Sequence, residues 1–223
     1  MKNLTLVIPA KYEADSLPKV LEEIKTFGCK IIIVLEPKDI ETIESIKGYN
    51  CKVVYQSDKG YGNALIEGIE NVSSEYLCIF NADGSFDPKY LFPMLKKCED
   101  GLDFVFASRY MENSGSDDDT LMTKIGNYIF TKIGNIFFSV YISDILFTFL
   151  LGKTDSFKKL KLKSKDFSLC VEMPIKAKRY DMKYIDIPSY ERKRIAGKKK
   201  VSEFKDGFKI LLYMIRIFFN KSL

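Results

Sequence analysis

The sequence predicts an α/β domain with a mostly parallel sheet covered by helices. Two observations carry this reading. Apolar strand-like runs alternate with helical patterns from residue 4 to residue 107, and turn residues punctuate nearly every boundary. At 223 residues, 46% of them apolar, one such domain can bury a substantial core. The 29% of charged residues is ordinary for a globular chain and excludes wholesale disorder.

Each element follows from its residues. Leu4–Ile8 reads as a short strand stopped at Pro9. Asp15 or Ser16 opens a helix that carries Leu17, Val20, Leu21 and Ile24 on one face, and Gly28 ends it. Lys30–Leu35 is nearly continuous in apolar residues, as a strand buried on both faces should be. Residues 39–47 form a short helix and Cys51–Tyr55 a third strand. A helix follows the glycine turn at 60–62, and Tyr76–Phe80 is a fourth strand. Asp87-Pro88 opens the next helix, with proline where its missing N–H costs little, and Phe104–Ala107 is a fifth strand. In such a sheet, ligands are expected at the carboxyl ends of the strands.

After Tyr110 the texture changes. Residues 112–120 form a polar loop ending in Asp117-Asp118-Asp119, and the strongly apolar stretch 121–151 is expected to be helical. Tyr184–Ile187 reads as a late strand. Six basic side chains and one acid then fall within residues 191–200. Residues 1–200 are taken as the catalytic domain and 201–223 as a C-terminal amphipathic helix. Phe204, Phe208, Leu211, Leu212, Ile215 and Phe219 recur there at helical spacing, and other apolar residues lie between them. A helix that is apolar nearly all round is either buried or seated in a membrane interface. No stretch offers the roughly 20 uninterrupted apolar residues of a spanning helix, and the apolar start is too short for a signal peptide.

Composition removes several classes of function. With no histidine, Ser-His-Asp catalysis, histidine metal sites and histidine proton relays are excluded. Five cysteines at 29, 51, 78, 98 and 170 lack paired spacing, which argues for a reducing compartment and against a disulfide framework or a zinc site. The 35 basic and 30 acidic residues give a net charge of +5, equal to the local excess of residues 191–200 alone. Such a cluster suits phosphate or an anionic membrane surface. Nucleic acid is not expected as a partner, because no aromatics interleave with these cations.

The sharpest chemical constellation is Phe80-Asn81-Ala82-Asp83-Gly84-Ser85-Phe86-Asp87-Pro88. It follows an apolar strand, so Asp83 arrives at the ligand edge of the sheet. A hard cation such as Mg²⁺ or Mn²⁺ prefers carboxylate and phosphate oxygens. Spacing alone leaves the alternative open that Asp83-Gly84 is a turn and Asp87 a helix cap.

Several motifs in order resemble one family. These are Val7-Ile8-Pro9-Ala10-Lys11-Tyr12-Glu13, Asp58-Lys59-Gly60-Tyr61-Gly62-Asn63-Ala64, Asn81-Ala82-Asp83-Gly84, Ala107-Ser108-Arg109-Tyr110 and the Arg194-to-Lys200 segment. Together they resemble the family 2 glycosyltransferases, particularly the dolichol-phosphate mannosyltransferase-like branch. The resemblance implies a GT-A fold (Rossmann-like, with a mostly parallel central sheet), a GDP- or UDP-hexose donor, a divalent metal and inversion at the anomeric carbon. By the same resemblance, Pro9, Ala10 and Glu13 line the base and ribose pocket, and Glu36 contacts the nucleoside. Lys59 and Gly60 pass close to the nucleotide, and Asn81 is suited to a ribose hydrogen bond. Asp83 holds the metal, while Arg109, Arg194 and Lys200 face donor or acceptor phosphates. Asn81 stands where a first acid is common, so Asp83 is the sole carboxylate of its motif.

The expected reaction is a metal-dependent hexosyl transfer to a polyprenyl phosphate, by a protein lying peripherally on the cytoplasmic face of the membrane. If the acceptor is instead a sugar hydroxyl, a carboxylate base is required, and Asp144 or Glu172 is the place to look. An inactive nucleotide- or membrane-binding module on the same fold is the alternative of another class. Nucleotidyl transfer would want a glycine-rich loop directly after the first strand, and Pro9–Glu13 supplies none.

Overall fold

The computed structural model describes residues 1–197 and 199–220. Its core is a seven-stranded sheet in the order β3-β2-β1-β4-β7-β5-β8. The strands are β1 Leu4–Pro9, β2 Lys30–Leu35, β3 Lys52–Tyr55, β4 Tyr76–Ile79, β5 Phe104–Ser108, β7 Leu150–Lys153 and β8 Tyr184–Pro188. A two-stranded ribbon pairs β6 Gly115–Ser116 with β9 Tyr190–Glu191. Pairing within β1–β4, and of β5 with β8, is parallel; β7 runs antiparallel to both of its neighbours.

Side-chain alternation divides the interior into two cores, one on each face of the sheet. Leu4, Leu6 and Ile8 of β1 enter one core with α1 (Leu17–Ile24) and α4 (Leu91–Glu99). Val7 enters the other with α3 (Tyr61–Glu70) and α7 (Leu169–Arg179). Helix α3 lies close on β1 and β2 because Gly68 has no side chain; a Cβ there would sit 2.4 Å from Val7 Cγ1.

Local caps agree with the sequence at several boundaries. Gly28 takes the left-handed conformation at φ 64°. Asp39 accepts the Thr42 N–H at the start of α2 (Ile40–Ser45), and Asp87 accepts the Lys89 N–H before a 3₁₀ turn leads into α4. Ser16 differs. It stands at the start of α1 but turns its hydroxyl to Glu13, donating to Oε2 at 2.6 Å, so it fixes a site residue instead of capping the helix.

The helix expected over 121–151 covers only α5, Leu121–Phe138. Ser139 adopts a left-handed conformation at φ 55°, residues 140–149 run irregularly, and Leu150–Lys153 becomes β7, inserted between β4 and β5. The Phe147–Leu151 run is buried, and a short apolar run buried in a sheet carries the same periodicity signal as a buried helix.

Helix α5 packs Phe130, Ile133 and Phe138 partly against the second core, but its fully buried positions are not apolar ones. Its buried stripe is Asn127, Thr131 and Gly134, while Leu121, Met122, Ile125, Tyr128, Ile129, Ile136 and Phe137 face outward. The inward polar groups satisfy the irregular segment beneath. Asn127 Oδ1 accepts the Leu146 N–H at 3.1 Å, and Thr131 Oγ1 accepts the Ile145 N–H at 3.2 Å. Asn135 closes both backbone groups of Ile142. Buried irregular backbone needs such partners, and this polar stripe supplies them. The C-terminal helix, α8 (Glu203–Phe219), packs beside α5 and α7; it buries Ile210, Met214 and Ile217 in the second core. The last three residues of the expected 201–223 helix lie outside the described residues.

Candidate active site

The carboxyl ends of the parallel strands open into a cavity of about 640 Å³. Pro9 and Ala10 at the end of β1, Glu36 after β2, and Asn81 and Asp83 after β4 form its sheet-side wall. Glu13, Gly60, Arg109, Arg194 and Lys200 also line it. Ten of the twelve residues expected from sequence to bind or react, Asp83 among them, therefore converge. Two do not. Lys59 is exposed on the loop before Gly60 and lies outside the cavity wall, and Asp144 is buried behind Arg109.

Asp83 hangs on the turn after β4. Its Oδ1 accepts the Ser85 N–H at 3.0 Å, closing the turn, and its Oδ2 looks toward Arg194 Nη1 at 3.5 Å. The turn left open by the sequence is thus present, made by one carboxylate oxygen, while the other oxygen faces the cavity. Gly84 has φ 82°, and a Cβ there would meet Ile195 at 2.4 Å. That approach, with the Ile195 N–H donated to Asp83 O and the Arg192 N–H to Ser85 O, lays the basic segment directly over the Asp83 loop. Arg192 anchors the segment through a two-pronged pair with Glu23.

The two remaining acids of the donor-side wall have cationic partners. Glu13 is paired with Lys200 at 3.0 Å and accepts from Ser16; Glu36 is paired with Lys11 at 2.7 Å. Tyr12 sits between them at φ 53°, its N–H held by Asp39 Oδ2 at 2.6 Å and its ring 66% exposed at the cavity rim. A left-handed non-glycine residue carries a small conformational cost, and here the Asp39 bond offsets it.

Arg109 is a hub. Nε and Nη2 grip Asp144 at 2.7 and 3.0 Å, while Nη1 reaches Asp119 at 3.2 Å and Glu191 at 3.1 Å. Four of its five N–H donors are therefore committed to carboxylates. Its guanidinium lies over the Phe147 ring, 4.4 Å from the centroid. Burial by itself would weaken the charged form, but Asp144, Glu191 and Asp119 outweigh it and hold this guanidinium well above its ordinary value. Burial pushes the Glu191 carboxyl up, against the pull of Arg109 and Ser116. Arg109 thus has little capacity left for a phosphate, and its expected phosphate contact gives way to a positioning role. Asp144 has the same fate as a base. Its side chain is 0% exposed and fully engaged by Arg109, so it cannot reach a substrate proton.

Glu172 is also ruled out as a base by its position. It is fully buried outside the cavity, accepts the Lys163 and Ser164 N–H groups, and pairs with Lys176 at 2.6 Å. Arg194 is a different case. It forks onto Asp118 at 3.1 and 2.6 Å while facing Asp83, and the Asp118 bond, with Asp83 adding to it, holds its guanidinium above the ordinary value.

Sequence reasoning missed Asp118, Asp119 and Glu191. Asp118 and Asp119 belong to the acidic triplet that was read only as a loop, and Glu191 is the lone acid in the basic stretch. Around Asp83 the cluster holds Asp83, Asp118, Asp119, Asp144 and Glu191 against Arg109 and Arg194, an excess of three negative charges. A diphosphate entering such a place needs a cation. Among the described residues no group of three or more carboxylates or thiols converges as a ready-made metal cage. The cavity-facing Oδ2 of Asp83, once released by Arg194 and completed by substrate oxygens and water, nevertheless fits how a small hard cation is held beside a diphosphate.

Comparison with known proteins agrees with this geometry. The chain is 25% identical to an uncharacterized protein of Methanocaldococcus jannaschii, over 94% of this chain and 91% of that one. It is 23% identical to the low-salt glycan biosynthesis hexosyltransferase Agl6 of Haloferax volcanii, covering 95% of this chain but about half (53%) of that longer protein. In fold it is similar to glucosyl-3-phosphoglycerate synthase from Mycobacterium tuberculosis, with a TM-score of 0.76 at 11% identity, over 96% of this chain and 79% of the other. That enzyme has been crystallised with Mn²⁺, uridine diphosphate and glucosyl-3-phosphoglycerate. The fold is therefore of the GT-A type. The model for glycosyl transferase family 2 matches residues 5–161, well over half of the sequence, and the chain belongs to that family.

Proposed function

We propose that this protein is an inverting hexosyltransferase that moves a sugar from a nucleoside-diphosphate donor to a polyprenyl phosphate. The observation that carries the acceptor is the two-ended character of the cavity. One end is polar, with Glu13, Glu36 and Asp83; the other runs between α5 and α8 and is lined by Met122, Phe130, Leu146, Phe204 and Ile210. A sugar hydroxyl acceptor has no use for an apolar slot of this kind, whereas an isoprenoid chain does. A phosphate acceptor also needs no base, because its oxygen is already anionic, and the two carboxylates singled out as bases, Asp144 and Glu172, are both buried and engaged.

In this reading the strand ends of β1 and β2 hold the nucleoside, with Tyr12 presenting its ring at the rim. Asp83 Oδ2 would hold a divalent cation beside the diphosphate. When bound, that ion supplies positive charge to the departing nucleoside diphosphate. An acceptor phosphate oxygen attacks the anomeric carbon; the new C–O bond forms as the bond to the diphosphate breaks, and both electrons leave with the diphosphate. Arg194 and Lys200 stand on the segment over Asp83, placed to turn from their carboxylate partners to phosphate oxygens. Arg109 keeps the acidic loop and Glu191 in register and does not itself meet the substrate.

The test is a transfer assay with UDP- and GDP-hexoses and a short polyprenyl phosphate in detergent, with Mn²⁺ or Mg²⁺. Formation of a lipid-phosphate hexose from one donor is the expected result. Turnover onto sugar hydroxyls with none onto polyprenyl phosphate would replace the acceptor reading.

A further inference from the structure

Helices α5 and α8 together expose an apolar face that no described residue covers. On α5 the outward residues include Leu121 (75% exposed), Tyr128 and Ile136; on α8 they include Phe208, Ile215 and Phe219. The two helices pack together, and Phe218 stacks edge-on against Phe137 and Phe138, so the two faces are continuous. Seven large apolar side chains of each helix are exposed, where a monomeric soluble protein mostly scatters such residues singly. The face is not an accident of a poorly buried helix, because α5 turns Asn127, Thr131 and Gly134 inward to hold up residues 142–146 and presents apolar residues outward as a consequence.

We propose that this face seats the protein on an anionic lipid surface, with α5 and α8 lying in the plane of the headgroups. Charge decides between a bilayer and a second copy of the chain. Helix α5 carries Lys124 and Lys132 and no acid, and α8 adds Lys205 and Arg216, while its Lys209 is held by Asp166 and Asp206. The two acids of α8 are turned away: Asp206 is buried, and Glu203 is half-buried and accepts from Thr120. A two-fold pairing of this face with itself would set lysines against lysines, whereas anionic headgroups complement them. Apolar aromatics and aliphatics bordered by cations that reach outward are the pattern of helices lying in an interface. No helix among the described residues is long and apolar enough to cross a membrane, so the attachment is to a surface. Met122, Phe130, Phe204 and Ile210 of the same two helices also line the cavity, so docking brings this wall of it close to the lipid. The apolar face stands apart from the catalytic reading and can succeed or fail without it.

The experiment is co-sedimentation of the full chain with vesicles of phosphatidylcholine alone and of phosphatidylcholine mixed with phosphatidylglycerol. It is run beside light scattering of the free protein and nucleotide binding. The wild type is expected to pellet with the anionic vesicles, and more weakly as salt is raised. The double variant Ile136→Glu with Phe208→Glu changes two exposed side chains outside the cavity wall, and should lower the bound fraction at least tenfold while leaving nucleotide binding unchanged. A wild type that stays in the supernatant with both vesicles overturns the proposal. So does a dimer whose dissociation, not lipid binding, is what the double variant produces. Equal pelleting of variant and wild type would place lipid binding elsewhere on the protein.

Discussion

Replacing Asp144 with Asn separates two roles for this residue more cleanly than any other change. The carboxylate is fully buried and receives three hydrogen bonds from Arg109: from its backbone N–H at 3.1 Å, Nε at 2.7 Å and Nη2 at 3.0 Å. Removing one partner of a buried pair costs about 3–5 kcal/mol, because the other charge is left buried without it. Asn keeps the shape and one acceptor, and Asp119 and Glu191 still neutralise Arg109, so the lower end of that range applies. A loss of about 3 kcal/mol in a chain of this size lowers Tm by roughly 6–12 °C. Urea and thermal unfolding followed by circular dichroism read this directly. A catalytic base would behave in the opposite way, with stability retained and turnover abolished. Stability within about 1 kcal/mol of wild type would refute the positioning role assigned here.

Other perturbations follow from the same geometry. Gly62→Ala drives a Cβ to 2.1 Å from the Ser164 carbonyl oxygen and 2.7 Å from that of Asp166; both are backbone atoms with nowhere to go. The variant should lose at least about 3 kcal/mol or fail to fold, and a yield and melting point equal to wild type would contradict the close packing of α3 on the 164–166 loop. Burial pushes the Cys98 and Cys170 thiols up to about 12 and also raises Cys78 well above its ordinary value. These three should ignore a thiol reagent at pH 8 in the folded protein, while all five free cysteines react once the chain is unfolded in denaturant. Rapid native labelling of Cys78 or Cys170 would contradict the core assignment.

How much of this was legible in the sequence varied with the kind of signal. Strands β1 to β5 announced themselves because each is an apolar run bounded by turn residues, and the parallel pairing followed from the helices between them. Asp83 was legible for the same reason, since the strand before it fixes where it emerges. The helix over 121–151 was misread past residue 138, because a buried strand and a buried helix are both simply apolar, and only sheet pairing distinguishes β7. The polar buried stripe of α5 was hidden too. Asn127 and Thr131 look like surface residues until the irregular backbone they support is in place. Asp144 was singled out as a candidate carboxylate base, but its role lies in Arg109, and Arg109's other partners lie 10 and 82 residues away. Contacts across such separations leave no local spacing to read.

The central claim is that Asp83 holds a cation on which nucleotide binding depends. Isothermal titration calorimetry with uridine and guanosine diphosphates, with and without Mn²⁺, on wild type and Asp83→Asn, tests it most directly. The Asn side chain retains an acceptor for the Ser85 N–H, so the turn should survive. The account predicts binding of one nucleotide that tightens at least tenfold with Mn²⁺ in the wild type, with that gain absent from the variant. Equal enhancement by Mn²⁺ in both proteins, or no binding of either nucleotide to the wild type, would contradict it.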